Sequence, residues 1–227
     1  MTLVLWDVDG TLLRAGPAGR LAFADAISAV FGTSVDQDEL PHMAGKTDRQ
    51  IGLEALARLG HAADRLPALE AAIEVALRAR VHQVRAEGVV LPGVRALIAA
   101  LDAAGATQTL VTGNIEPNAR LKLEAVGLSP GPVRVELGAY ASDDGVRDNL
   151  VPIALDRCRA AGVAVDTGRT WVIGDTPLDL ACARAAGVRC LLVATGTYGP
   201  AELAGAGADA VVPDLTDTAG VCAILGC

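Results

Sequence analysis

Apolar positions along this chain follow two rhythms. Nearly continuous apolar runs, each ending in small or polar residues, recur at 3–9 (LVLWDVD), 107–114 (TQTLVTGN), 170–175 (TWVIGD), 188–196 (VRCLLVATG) and 208–214 (ADAVVPD). Runs without polar alternation predict strands buried on both faces, as in a parallel sheet. Between them lie stretches of helical period: GVRALIAALDAAG, EPNARLKLEAVGL, LVPIALDRCRAAG and TPLDLACARAAG, several opened by Pro or a capping residue and closed by Gly. Strand then helix, repeated, predicts an α/β fold with a doubly wound parallel, Rossmann-like sheet. The alternation fails from about Ala15 to Glu87, where helical pattern runs on without a convincing strand. A crossover needs only a dozen or so residues, so this block predicts a second, all-helical domain over 15–88. The sheet domain would then comprise 1–14 and 89–227.

Composition narrows the choice of core and of partner. The 227 residues suffice for one substantial core with a smaller domain attached. With 52% hydrophobic but only 3% aromatic residues, that core must be built from Ala, Val and Leu. A net charge of −8 argues against nucleic acid or an anionic membrane as partner, since both are held by clustered Lys and Arg. An anionic ligand would need a local basic pocket, and the two lysines, Lys46 and Lys122, lie far apart in sequence. Five cysteines without metal-ligand or CxxC spacing point to reduced thiols. No window reaches the ~18 apolar residues of a membrane span, and the expectation is a cytoplasmic protein. His42, His61 and His82 lack metal spacing and are expected on the surface.

Ligands of open parallel sheets bind beyond the carboxyl ends of the strands. Three predicted strand ends carry polar residues: Asp7 and Asp9; Thr112, Gly113 and Asn114; and Asp175, with Asp179 one helical turn later. One aspartate at such a position is often a helix N-cap, and Asp179 suits that role. Three carboxylates brought together would repel, and a divalent cation relieves the repulsion. Hard oxygen donors suit Mg²⁺, which takes one or two carboxylates plus a substrate phosphate.

Asp7-Val8-Asp9-Gly10-Thr11, Thr112 ending the next strand, and Gly174-Asp175 with Asp179 occur in the order of three motifs of the haloacid dehalogenase-like phosphatase superfamily. The chain resembles that superfamily along nearly its whole length, the helical block standing where a cap is inserted. The resemblance implies that Asp7 is a nucleophile forming an aspartyl-phosphate, and that Asp9 is general acid and then general base. It implies Mg²⁺ held by Asp7, the backbone carbonyl of Asp9, and Asp175 with Asp179, and phosphoryl oxygens bound by Thr112 and the amides near Gly10, Thr11, Gly113 and Asn114. The phosphoglycolate phosphatase-like branch, acting on a small phosphate ester, is the leading reading. A phosphomutase of the β-phosphoglucomutase type and a non-catalytic phospho-ligand binder are alternatives. A dinucleotide binder would need GxGxxG after the first strand, which is missing.

The family's third motif, a lysine, has no direct match. Arg147, ahead of the helix starting near Leu150, takes that place. Lys122, the rival, reads as part of a solvated helix face. Asp9 favours phosphoester cleavage over dehalogenation. In the cap, Lys46 and Arg49 flank a predicted helix start and are candidates for an anionic group on the substrate, with Thr47 or Asp48 as helix cap. Lys46 is also the one cap lysine that could form a Schiff base in a phosphonate-cleaving relative. Arg14 and Arg20, beside Gly and Pro, mark a hinge between the domains.

Overall fold

The computed structural model describes residues 1–227. The chain opens with β1 (Leu3–Trp6) and β2 (Leu13–Arg14), followed by four helices, α1 (Ala18–Phe31), α2 (Asp48–Arg58), α3 (Leu66–Ala79) and α4 (Val81–Glu87). It returns through β3 (Val89–Val90), α5 (Val94–Ala103), β4 (Thr107–Leu110), α6 (Glu116–Ala125) and α7 (Leu150–Ala160). It ends with β5 (Thr170–Gly174), α8 (Pro177–Ala185), β6 (Arg189–Val193), α9 (Pro200–Ala204), β7 (Ala210–Val212) and α10 (Thr218–Leu225).

Five strands form one parallel sheet in the order β4-β1-β5-β6-β7. Successive residues of β1 bury on opposite sides. Val4 and Trp6 join a cluster with Leu97 and Leu101 of α5 and Ala119 and Leu123 of α6. Leu3 and Leu5 pack instead with Leu150, Val151 and Ala154 of α7 and Leu180 of α8. Both faces are covered, which is why the strand sequence is continuously apolar. The doubly wound α/β reading of the sequence therefore holds. From β1 the chain goes to β4 on one side and later to β5 on the other. The ends of β1, β4 and β5 thus flank the point where strand order reverses.

The helical segment has its own core, in which Phe23 and Ile27 of α1 meet Ile51 and Leu56 of α2 and Leu69 and Ile73 of α3. It is bracketed by β2 and β3, which pair antiparallel with Leu13 opposite Val90 and Arg14 opposite Val89. Both crossings between sheet and helices thus run side by side as one ribbon.

Some elements differ from the sequence pattern. The apolar stretch 68–88 reads as a single helix but breaks at Arg80, between α3 and α4. Leu69 and Ile73 of α3 face the helical core, whereas Leu77 at the end of α3 and Val84 of α4, on either side of the break, both face the sheet's cluster. The Ala/Gly-rich tract near 201–210 contains the short α9, and α10 lies in a C-terminal stretch that shows no clear helical pattern. Leu203, Val221 and Leu225 seal the sheet there, so tertiary packing decides these helices more than propensity does.

Candidate active site

Asp7 and Asp9 follow β1 directly, and the chain then turns at Gly10. Its φ of +87° is costly for any side chain, and an added Cβ would lie 2.5 Å from Asp175 Oδ2. The glycine therefore lets the first motif close against the third strand end. Thr11 is fully buried, and its hydroxyl donates to Asp175 Oδ1 at 3.1 Å. It does not reach the cavity. The Thr11 side chain thus fixes Asp175.

Ligating oxygens of Asp7, Asp175 and Asp179 lie within 4.8 Å of one another, and all three residues are buried. Burial, followed by the nearby charges of Asp7 and Asp179, pushes Asp175 up to about 8. Burial likewise raises Asp7 to about 6, although the Arg147 guanidinium pulls it down. A cation shared by these carboxylates removes that cost. Hard, buried carboxylates that open on a cavity, as Asp7 and Asp175 do, fit Mg²⁺, which takes one or two carboxylates and keeps positions for water and phosphate.

Asp179 is less free than the other two. One of its oxygens pairs with Arg147, and Oδ2 accepts from the Thr176 backbone N–H at 3.0 Å and from the Thr176 hydroxyl at 2.7 Å. The N-cap of α8 is Thr176, and Asp179 takes part in the capping box as its third residue, reaching back to the Thr176 N–H. Among the expected metal ligands, only Asp7 and Asp175 both belong to the carboxylate cluster and line the cavity. The Asp9 carboxylate stands outside the cluster because it is bonded elsewhere.

Two buried cations divide the aspartates between them. Arg147, 4% exposed, places Nη2 3.1 Å from Asp7 Oδ1 and bonds Asp179 with the same nitrogen. Lys122 places Nζ 2.5 Å from Asp9 Oδ2 and 2.6 Å from Asn114 Oδ1. Its side chain is 8% exposed, so the solvated-face reading of Lys122 is wrong. Period alone could not reveal this. The helix α6 packs beneath α3 and α4, so its polar side faces the cavity, not solvent. Asn114 donates Nδ2 to Asp9 Oδ2 at 2.8 Å and to Thr112 Oγ1 at 2.9 Å, closing the network.

A cavity of about 680 Å³ opens over these groups, between sheet and helices. Asp7, Asp9, Gly10, Thr112, Gly113, Asn114, Arg147 and Asp175 line its sheet side. Both lysines of the chain reach it, as do Arg14 and Arg20. The basic pocket that an anionic ligand requires is thus assembled from residues scattered through an acidic sequence. His42, expected only at the surface, also borders the opening, and the buried Asp48 and Asn118 were not foreseen there.

The segment 45–48 docks on the sheet domain through backbone and short side chains. Asp48 N donates to Gly113 O at 2.7 Å, Ile115 N donates to Asp48 Oδ2 at 2.8 Å, and the Thr47 hydroxyl donates to Gly145 O at 2.7 Å. A Cβ on Gly113 would lie 2.2 Å from Lys46 O, so the contact demands glycine. Thr47 caps α2 together with Gln50, as the sequence suggests. The two expected substrate cations behave differently. Lys46 borders the cavity, but both Glu54 oxygens hold its Nζ at 2.7 Å. Arg49 pairs with Glu70 at 2.9 Å and lies off the cavity wall, which corrects its expected contact with substrate. A paired, partly exposed ammonium is also unsuited to Schiff-base chemistry, which needs a desolvated free amine.

The inserted helices and the three strand-end motifs around a carboxylate pair define a class. The family model "haloacid dehalogenase-like hydrolase" matches residues 4–184, and the chain belongs to that family. Within it the chain is phosphoglycolate phosphatase-like, a hydrolase of phosphoric monoester bonds. It is 31% identical to a phosphoglycolate phosphatase of Cupriavidus necator over 94% of this chain and 90% of that one. It is 29% identical to the phosphoglycolate phosphatase of Rhodospirillum rubrum, over 93% and 86% respectively. The crystal structure of a predicted phosphatase from Clostridium acetobutylicum shares the fold, with a TM-score of 0.74, 18% identity, and 98% of each chain covered. No helix of the chain is long and apolar enough to cross a membrane.

Proposed function

We propose that this protein is a Mg²⁺-dependent phosphatase that cleaves a small phosphate monoester of the phosphoglycolate type through an aspartyl-phosphate on Asp7. The observation that carries the reading is the placement of Asp7 and Asp9 at the switch point of the sheet, each paired with its own buried cation and both facing one cavity. The curated relatives, phosphoglycolate phosphatases along most of their length, supply the substrate class.

Asp7 attacks phosphorus and releases the alcohol, whose oxygen takes a proton from Asp9. Asp9 then draws a proton from water, which attacks phosphorus and frees Asp7. Splitting one displacement into two lets the same carboxylate act as acid and then as base. Arg147 keeps Asp7 oriented and anionic and adds positive charge beside the phosphoryl oxygens. Thr112 and the backbone around Gly113 bound the phosphoryl pocket on the β4 side. Mg²⁺ would be held by Asp7 and Asp175, with Thr11 and Asp179 fixing the surroundings, and when bound it supplies charge neutralisation for the transferring group. The helices above the cavity exclude water and limit the size of the ester.

Phosphate release from a panel of metabolite phosphoesters, 2-phosphoglycolate included, tests this reading. Mg²⁺ should support turnover, EDTA should abolish it, and Asp7→Asn should lower kcat by at least about 10⁴-fold. Unchanged rates with EDTA and with Asp7→Asn would sink the mechanism.

A further inference from the structure

We infer that Lys122 is the positioning residue for the acid/base carboxylate, and that together with Asn114 it leaves Oδ1 of Asp9 as the one oxygen able to carry the proton. The inference rests on the reading of Asp9 given above and adds a residue and an atom to it.

Lysine is seldom buried without a specific partner, and Lys122 has two. Its ammonium sits 2.5 Å from Asp9 Oδ2 and 2.6 Å from Asn114 Oδ1. The Asn114 amide donates to the same Asp9 Oδ2 at 2.8 Å, and its other bond, to Thr112 Oγ1 at 2.9 Å, locks the amide plane. Gly19 of α1 lies over the ammonium, where a Cβ would stand 4.0 Å from Nζ, and the Lys122 side chain is 8% exposed. Arg147 does not compete for Asp9, since Asp7 and Asp179 occupy it.

Oδ2 thus receives an ammonium and an amide N–H, and neither has a lone pair to accept a proton. A proton placed on Oδ2 would confront two donors. Oδ1 accepts no hydrogen bond from the protein, and the Asp9 side chain is 44% exposed toward the cavity. In the first half-reaction the Oδ1 proton passes to the ester oxygen as its bond to phosphorus breaks and the Asp7–phosphorus bond forms. In the second, Oδ1 takes a proton from water as the water oxygen bonds phosphorus and the Asp7–phosphorus bond breaks. Lys122 touches neither the leaving group nor phosphorus in this scheme. It holds the carboxylate that does.

The test compares an alkyl ester, 2-phosphoglycolate, with p-nitrophenyl phosphate, whose phenolate leaves without needing a proton. Single-turnover phosphorylation rates, kcat and KM are measured with Mg²⁺ for wild type, Lys122→Met, Lys122→Arg and Asn114→Ala, with thermal melts confirming the fold. Lys122→Met should lower the alkyl rate about 100-fold, at least about tenfold more than the aryl rate, with KM changed less than about threefold. Lys122→Arg should recover part of the alkyl rate, and Asn114→Ala should show the same split in smaller measure. Equal losses on both esters, or a loss carried by KM, would overturn the inference and make Lys122 a phosphoryl-binding cation instead. Should Lys122→Met fail to fold, the presence or absence of the split in the other two variants decides. A wild type inactive on both esters would instead overturn the proposed function itself.

Discussion

The sheet side and the helical side of the cavity both carry basic residues, and they use them in opposite ways. On the sheet side Arg147 and Lys122 are almost fully buried, and each pairs with an aspartate of the first motif. On the helical side Lys46 and Arg49 pair with Glu54 and Glu70, acids of their own domain, and stay partly exposed. Arg147 and Asp7 are both buried and interact across a low dielectric, so each governs the other's position, while the buried Lys122 ammonium fixes an Asp9 that stays open to the cavity. An exposed pair is screened and contributes little. Under the proposed function, chemistry is organised from the sheet, while the helices bound the cavity.

The largest effect expected to break this contrast comes from Arg147→Ala. It leaves Asp7 and Asp179 as unpaired buried charges, and should cost about 3–5 kcal/mol of stability in urea unfolding together with about 10²–10³-fold in kcat. Next is Asp48, at the seam between the two sides. Burial pushes it up to about 6 from an ordinary 3.8, although Lys122 pulls it down. A raised carboxyl pKa means the folded state holds the proton longer than the unfolded one. This group therefore costs stability progressively as pH rises from about 4 to 6, and fully above that. Asp48→Asn should gain on wild type by about 2–3 kcal/mol between pH 4 and pH 7, measured by unfolding at both values. A constant difference would show that the seam does not desolvate Asp48.

Gly113→Ala probes the same seam without charge. Its Cβ would overlap Lys46 O, so the cap must shift, at about 1–3 kcal/mol and with a raised KM. The smallest effects belong to the helical side. Lys46→Met and Arg49→Met should each change stability by no more than about 1 kcal/mol. Either one should leave kcat/KM for 2-phosphoglycolate within about threefold, since both ammonium and guanidinium are already paired. A tenfold loss in either would mean the cap cations open toward substrate on binding.

Much of this site is legible in the sequence because its residues sit at strand ends. Asp7, Asp9, Thr112 and Asp175 each follow an apolar run, and a parallel sheet must gather such positions at one edge. Arg147 stands 28 residues ahead of Asp175 (175 − 147), where the family pattern asks for a cation. Lys122, weighed only as a rival to Arg147, and Asp48 and Asn118 were not placed at the cavity for a shared reason. They lie on helices whose polar side turns inward to a cavity, and a helical period shows that a face is polar without showing what it faces. The Thr11 hydroxyl and Arg49 show the converse limit. Residue type and proximity to a motif cannot say whether a hydroxyl reaches substrate or Asp175, or whether an arginine meets a ligand or Glu70.

The order and composition of apolar runs by themselves determined the doubly wound sheet, the helical insertion after the first strand, and the edge where carboxylates collect. These follow from local periodicity and from the rule that buried strands need cover on both faces. Only the tertiary structure decided which cation serves which aspartate. It places Lys122 beside Asp9, 113 residues away in sequence, and Arg147 beside Asp7. Pairings of that kind depend on distances of a few ångströms and on the loss of water, neither of which is a property of a residue or of its neighbours in the chain.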